Sequence, residues 1–299
     1  MLTEQLLHFI WQAGYYNKAE LATLDGQPVE IMHSGRYNRN SGPDFLQARI
    51  KIGSTLFAGA VEMHLRTSHW RQHKHSADAA YNNVVLHVVW AHDGFDLPHV
   101  PVLELQPRVA ASLLHYYRQL MESNLFIPCA HLVHAVPPLV WESWKERLLT
   151  ERLVQKTTHI QQLLAATQND WEQVCWQLVA RYAGGTVNKE AFEEIAGMVL
   201  GADAADRIII NAIIPLLFAY AQATSNEAQK EKVLQWLQAI TAEQNSIVEG
   251  FKRLGVSATT AFDTQALLQL KPAYCDVRRC LECAVGYRLL KQAQVQDPQ

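Results

Sequence analysis

Glu62 and His64 stand two apart in the run Gly59-Ala60-Val61-Glu62-Met63-His64. Residues two apart on a strand point to the same face, so a carboxylate and an imidazole converge there on one ion or one water. Upstream, Asn40-Ser41-Gly42-Pro43-Asp44-Phe45 places a second carboxylate, Asp44, at the entrance to a neighbouring strand. Paired carboxylates suit a hard divalent cation such as magnesium or manganese, which keeps water in its open positions. Such a centre activates water and neutralises charge on a phosphoryl oxygen. The stretch from Trp70 to Tyr81 adds His73, His75 and Asp78. Imidazole-rich ligation suits zinc or iron better than magnesium, so His64, His73, His75 and Asp78 form an alternative ligand set.

Each of these residues also has a plainer reading. Asp44 after Pro43 is a turn residue that bonds local amides. Glu62 and His64 alternate with apolar residues and fit the solvated face of a sheet. His73 and His75 cannot share a helix face, although either can share one with Asp78; if the segment is partly extended, the two histidines align instead. His87, inside the apolar run Val84–Trp90, reads as a hydrogen-bonded core histidine, and Trp70 and Tyr81 read as packing residues. What singles the region out is the crowding of histidine: nine of thirteen precede residue 100, and eight of those lie between His33 and His99.

A second group closes the chain. Cys275-x4-Cys280-x2-Cys283 has spacing that binds zinc or an iron–sulfur cluster. A fourth ligand has to come from Cys129, Cys175 or a histidine far off in sequence. Against this stands core packing, since cysteine is among the most buried residue types. Five cysteines without an export signal do not make a disulfide framework.

The elements that must position these groups follow from periodicity. Leu6, Leu7, Ile10 and Trp11 have helical spacing behind Thr3, a good N-cap. Strands are expected at Val29–His33, Gln47–Ile52 and Thr55–Arg66, with turns at Gly26-Gln27-Pro28 and Gly53-Ser54. Thr67-Ser68 then predicts a helix capped there and running to Asn82, followed by strands at Val84–Trp90 and Val100–Leu105. Beyond Pro107 the period is helical, with helices expected over 108–123, 139–167, 170–183, 188–200, 204–223, 226–253 and 276–292. Asn169 and Asn188 serve as N-caps and Gly184-Gly185 as a stop. The fold class is therefore an α/β core over residues 1–106 followed by an all-α domain over 107–299.

With 49% apolar and 18% charged residues the composition is globular. A net charge of −3 gives no global basic field for nucleic acid, although Lys252, Arg253, Lys271, Arg278, Arg279 and Arg288 make the C-terminal end locally basic. Met1–Gln5 lacks a signal peptide's basic and apolar runs. Ile208–Tyr220 is too short, and too interrupted by Asn211 and Pro215, to span a bilayer. A soluble, cytoplasmic protein without a membrane partner is expected.

Pro-Asp, about eighteen residues, then Glu-x-base, within the order helix, three strands, helix, strand, resembles the restriction-endonuclease-like superfamily and its PD-(D/E)xK motif. The resemblance covers roughly residues 1–92. It implies metal-dependent phosphodiester hydrolysis, with Asp44 and Glu62 as metal-binding carboxylates, Met63 offering its carbonyl, and Glu4 matching an extra acidic residue of the first helix. It also implies nucleic acid as partner and magnesium or manganese as cofactor; zinc or iron belongs to the alternative, a hydrolase ligated by His64, His73, His75 and Asp78. His64 stands where the superfamily has lysine. Lysine supplies a permanent cation; an ordinary histidine is mostly neutral at pH 7, serving instead as base or ligand, or marking a non-catalytic scaffold. Over nearly its full length, through NSGPDF, GAVEMH, SHWRQHKH, DAAYNNVVLHVVW, DRIIINAIIP and CDVRRCLECAVG, the chain also resembles a bacterial family known as a domain of unknown function.

Overall fold

The computed structural model describes residues 2–73, 75–183 and 202–295. The chain forms two units: one gathers the residues up to Glu122 together with the chain from Tyr287 onward, and the other is Ser123–Gly286.

The first unit opens with helix α1 (Glu4–Ala13). Thr3 Oγ1 accepts from the Leu6 amide, and Gly14, at φ +67°, closes the helix with its N–H on the Ile10 carbonyl. Leu6, Leu7, Ile10 and Trp11 lie buried along one stripe. The sheet is mixed and runs β1 (Val29–His33), β3 (Phe45–Ile52), β4 (Thr55–Arg66), β5 (Val84–Ala91), β6 (Val102–Glu104), with the short β2 (Arg36–Tyr37) paired to β3. β1, β3 and β4 are antiparallel, whereas β4–β5 and β5–β6 are parallel. Gly53, at φ +59°, makes the expected two-residue turn that sets Ile52 opposite Thr55. The third strand starts at Phe45, two residues before the expected Gln47, because Gln47 adopts φ +60° in a bulge that resets the pairing. Phe45, Ile50, Val61, Met63, Leu86 and Val88 fill the core of this unit.

The helix expected from Thr67-Ser68 to Asn82 does not form. A single turn, α2 (His69–Gln72), is followed by 3-10 turns at His75–Ala77 and Ala79–Tyr81. Ser68 makes no side-chain cap; it and Thr67 instead donate to the Asp93 carboxylate, at 2.6 Å from Thr67 Oγ1 and 3.1 Å from the Ser68 amide. Helix α3 (Ala111–Glu122) buries Leu113, Tyr117 and Leu120.

The second unit is helical. Its long helix α4 (Pro138–Ala166) buries Trp141, Trp144, Leu148, Leu149 and Leu153. Helix α5 (Trp171–Ala183) begins on Asp170, whose Oδ1 accepts from the Gln173 amide; Asn169, the expected cap, sits at φ +64° in the turn before it. Asn188, Gly184-Gly185 and the helix expected over 188–200 lie outside the described residues. Helix α6 (Ala202–Ile208) passes through a π turn at Ile209–Ile213 into α7 (Ile214–Ala223), so Asn211 and Pro215 do not interrupt it. Ala205–Ala223 is the one helix among the described residues long and apolar enough to cross a membrane, and 44% of it is buried within the fold. Ile208, Ala212 and Ala219 pack there with Ile160, Leu164, Val174 and Leu178. The single helix expected over 226–253 divides into α8 (Glu227–Ala239) and α9 (Ser246–Arg253), because Asn245 caps the Ile247 and Val248 amides and starts a new one. Helix α10 (Ala261–Leu270), absent from the expectation, carries a Thr260/Asp263 capping box. The helix expected from 276 begins only at Ala284, as α11 (Ala284–Val295), after a π turn at Lys271–Cys275 and turns through 283.

Candidate metal centre

β4 and β5 lie parallel with Glu62 opposite His87 and His64 opposite Val89, and this register builds the site. Glu62 and His64 point to one side, as the two-residue spacing requires, but that side is buried and not a solvated face: Glu62 is 5% and His64 1% exposed. From the strand before, Asp44 closes a reciprocal clasp. Its amide donates to Glu62 Oε2 at 3.2 Å, and its own Oδ2 accepts from the Met63 amide at 2.9 Å. His8 Nε2, on α1, stands 3.3 Å from the same Asp44 oxygen, without hydrogen-bond geometry.

The failed helix is what completes the cluster. With helical geometry lost after Gln72, His73 and His75 both turn back onto β4. His73 Nδ1 stands 3.1 Å and His75 Nε2 3.3 Å from His64 Nε2, and the ligand nitrogens of the trio all lie within 4.8 Å of one another. Glu62 Oε1 is 3.2 Å from His75 Nε2 and 3.4 Å from His64 Nε2. Zinc–nitrogen bonds of 2.0–2.1 Å in a tetrahedron separate ligand atoms by about 3.3 Å, close to the spacings around His64. His64 and His75 are buried while His73 is exposed, so the cluster opens on the His73 side. Tyr81 stacks on the His75 ring at 3.8 Å between centroids, and buried Trp70 meets it edge-on.

Electrostatics favour the neutral form of the buried imidazoles His64, His75 and His87. Burial, with the neighbouring imidazoles of His87, His75, His73 and His69 adding to it, holds His64 down to about 2. His87, fully buried, is held to about 3 by burial and by His75 and His69, and burial lowers His75 as well. Conversely, burial and the Asp44 carboxylate push Glu62 up to about 9. His64 and His75, held neutral, face His73 across one point, an arrangement whose lone pairs can be shared by a cation. His64 can ligate through Nε2 only with its proton on Nδ1, and His87 Nε2 lies 2.9 Å from Nδ1 to accept it.

Asp78 does not join the trio; its Oδ1 accepts from the Ala80 amide and caps the Ala79–Tyr81 turn. Glu4 lies 3.8 Å from His69 Nδ1. The sequence reading passed over His8 and Asp93. His8 is one helical turn from Glu4, a spacing that flags it. Asp93 acts across 25 residues, and the pairing of the expected core histidine His87 with His64 follows from the parallel register; neither contact has a local signature.

A family described as Protein of unknown function (DUF2851) matches residues 4–199 and 197–246. The chain belongs to this family. No curated protein and no solved structure matches it. In this DUF2851 chain the matched span takes in every residue of the imidazole cluster, its Asp44–Glu62 clasp and the Asp93 anchor.

Proposed function

We propose that this protein is a metal-dependent hydrolase whose centre is the trio His64, His73 and His75, with zinc or iron as the metal and Glu62 as its proton acceptor. The observation that carries this reading is the convergence of three imidazoles, with His73 Nδ1 at 3.1 Å and His75 Nε2 at 3.3 Å from His64 Nε2. A metal there lowers the pKa of a bound water and polarises the bond to be cleaved. His87 fixes the His64 ring and its tautomer, Tyr81 and Trp70 hold His75 in place, and Glu62 Oε1 is beside two of the imidazoles to take a proton from water. The Asp44 amide orients Glu62 through its other oxygen.

A second reading, phosphodiester hydrolysis with magnesium or manganese on Asp44 and Glu62, is favoured by the element order. One helix, three antiparallel strands, a helical turn and a parallel strand follow the order of the restriction-endonuclease-like superfamily, and the clasp sets Asp44 beside Glu62 as that motif requires.

Elemental analysis with variants tests both. Zinc or iron at about one per chain, lost in His75→Ala and His64→Lys, supports the first reading. Manganese-stimulated cleavage of DNA or RNA by His64→Lys, with no metal held by the histidines of the parent protein, supports the second. Folded protein that binds neither kind of metal and cleaves neither esters nor phosphodiesters overturns both.

A further inference from the structure

The cysteine group does not carry a second metal centre. Cys280 and Cys283 are buried and Cys275 half-buried, all free thiols, which fits core packing. Among the described residues the histidine trio is the one group with three ligand atoms within 4.8 Å of one another. A different set of side chains in the helical unit does converge. Arg152, Lys156 and His159 fall on one stripe of α4, four and three residues apart. Arg181 faces them from α5, its Nη1 3.5 Å from His159 Nε2. With Tyr182 and Asn211 they line a cavity of about 320 Å³, near the small end of the range for ligand sites, about 300–1,000 Å³. Arg152 and Lys156 are half-buried, and His159 and Arg181 are exposed at the mouth. No carboxylate belongs to the lining among the described residues.

The π turn supplies the remaining wall. Pro215 has no N–H, and in an α-helix its ring strikes the carbonyl four residues back, that of Asn211. The helix widens instead: the Ile214 amide donates to the Ile209 carbonyl, five residues back. The widened turn presents Asn211 to Lys156, whose Nζ donates to its Oδ1 at 3.0 Å. Buried Gln265, on α10, offers one amide oxygen to both cations, at 2.6 Å from Arg152 Nε and 3.5 Å from Lys156 Nζ. The charges here do not balance. Glu243 is the one carboxylate that acts on Arg152 and Lys156, and its oxygens already accept from Asn211, Thr264 and Gln265. Arg152, Lys156 and Arg181 form no ion pair with any described residue. Burial lowers Arg152, and burial with Arg152 lowers Lys156 to about 7; an anion seated between them reverses that preference.

We infer that this cavity binds a dianionic phosphoryl group, as free phosphate or as a small phosphate monoester. Arg152 donates to Gln265 through Nε alone, so both terminal nitrogens of its planar fork remain for two phosphoryl oxygens. Lys156 adds a point charge, and Arg181 with His159 covers the exposed side. Two cations held inward and a third at the mouth match a dianion better than they match a single carboxylate. Ile160, Leu178 and Pro215 give the rim an apolar surface for a small organic remainder.

Calorimetric titration of the metal-stripped full chain with inorganic phosphate and with phenyl phosphate, at low ionic strength, tests the assignment. The readout needs neither metal nor turnover, so it succeeds or fails apart from the hydrolase reading. Millimolar or tighter binding is expected, weakened about tenfold or more in Arg152→Gln and in Lys156→Met and unchanged in His75→Ala. Phenyl phosphate binding more tightly than phosphate assigns a phosphate ester, and equal binding assigns phosphate itself. Absence of binding by either compound to the folded parent chain overturns the inference, whatever the variants do. Phosphate binding that survives both Arg152→Gln and Lys156→Met overturns it, as does benzoate binding as tightly as phenyl phosphate. An oligonucleotide that binds through Arg152 and Lys156 where the monoester does not overturns it as well.

Discussion

Glu62 is a carboxyl buried among imidazoles and clasped to a second acid through the chain's own amides. Without a cation it rests protonated, its range pushed up to about 9 by burial and Asp44; a nearby cation reverses that preference. Glu62→Gln keeps the oxygen that accepts from Asp44 and removes the base. It is expected to retain metal at the parent level while the rate on an ester or phosphodiester falls about 10²–10⁴-fold, read from metal content and kcat on the same sample. Parallel loss of metal would instead make Glu62 a ligand. Lys156 in the helical unit tests electrostatics away from any metal. Its Nζ donates to Asn211 Oδ1 at 3.0 Å, and burial and Arg152 lower it to about 7 against the opposing pull of Glu243. An unfolded lysine keeps its proton up to about 10.5, so between 7 and 10.5 the folded chain binds fewer protons than the unfolded one, and stability rises with pH across that window and is lost as pH falls through 7. From pH 7 to pH 9 the gain reaches up to about 2 kcal/mol. Lys156→Met should abolish it, as urea unfolding at the two pH values would report.

Among the elements, the β4–β5 crossing bears most directly on the site, and it depends on Gly59. A Cβ there would stand 2.4 Å from Val85 Cγ1 and 2.5 Å from the Asn83 carbonyl oxygen, the same oxygen that accepts from the Ala60 amide at 2.8 Å. Gly59→Ala forces these strands apart and is expected to cost about 1–3 kcal/mol, measured as a lowered urea midpoint, with metal affinity falling because Glu62 and His64 shift against His87. These strands were legible because alternation and Gly53 mark them, and Glu62 with His64 came with them. The convergence of His73 and His75 was not, since it requires the 67–82 helix to fail, and that failure is dictated by Asp93 drawing off the cap residues from another strand's end. Gln47 hides the start of β3 for a similar reason: a bulge resets the alternation on which the reading depends. In the helical unit the Thr260-x-x-Asp263 capping box was legible and overlooked, while the turns after Lys271 carry no periodic signal.

At the scale of the molecule, the chain divides into two compact units, one holding the imidazole cluster and the other helical. The first unit is not continuous in sequence. Tyr287 packs its ring against Phe9 and Tyr15, Ser112 Oγ donates to the Ala293 carbonyl at 2.9 Å, and Leu289 and Leu290 are buried. During synthesis, at about 5–20 residues per second, the residues up to Glu122 therefore wait on the order of ten to thirty seconds for the segment that covers Phe9 and Tyr15. The unit that begins the chain is the last whose core can close, and an unfinished chain exposes aromatic surface to chaperones for the whole of that interval.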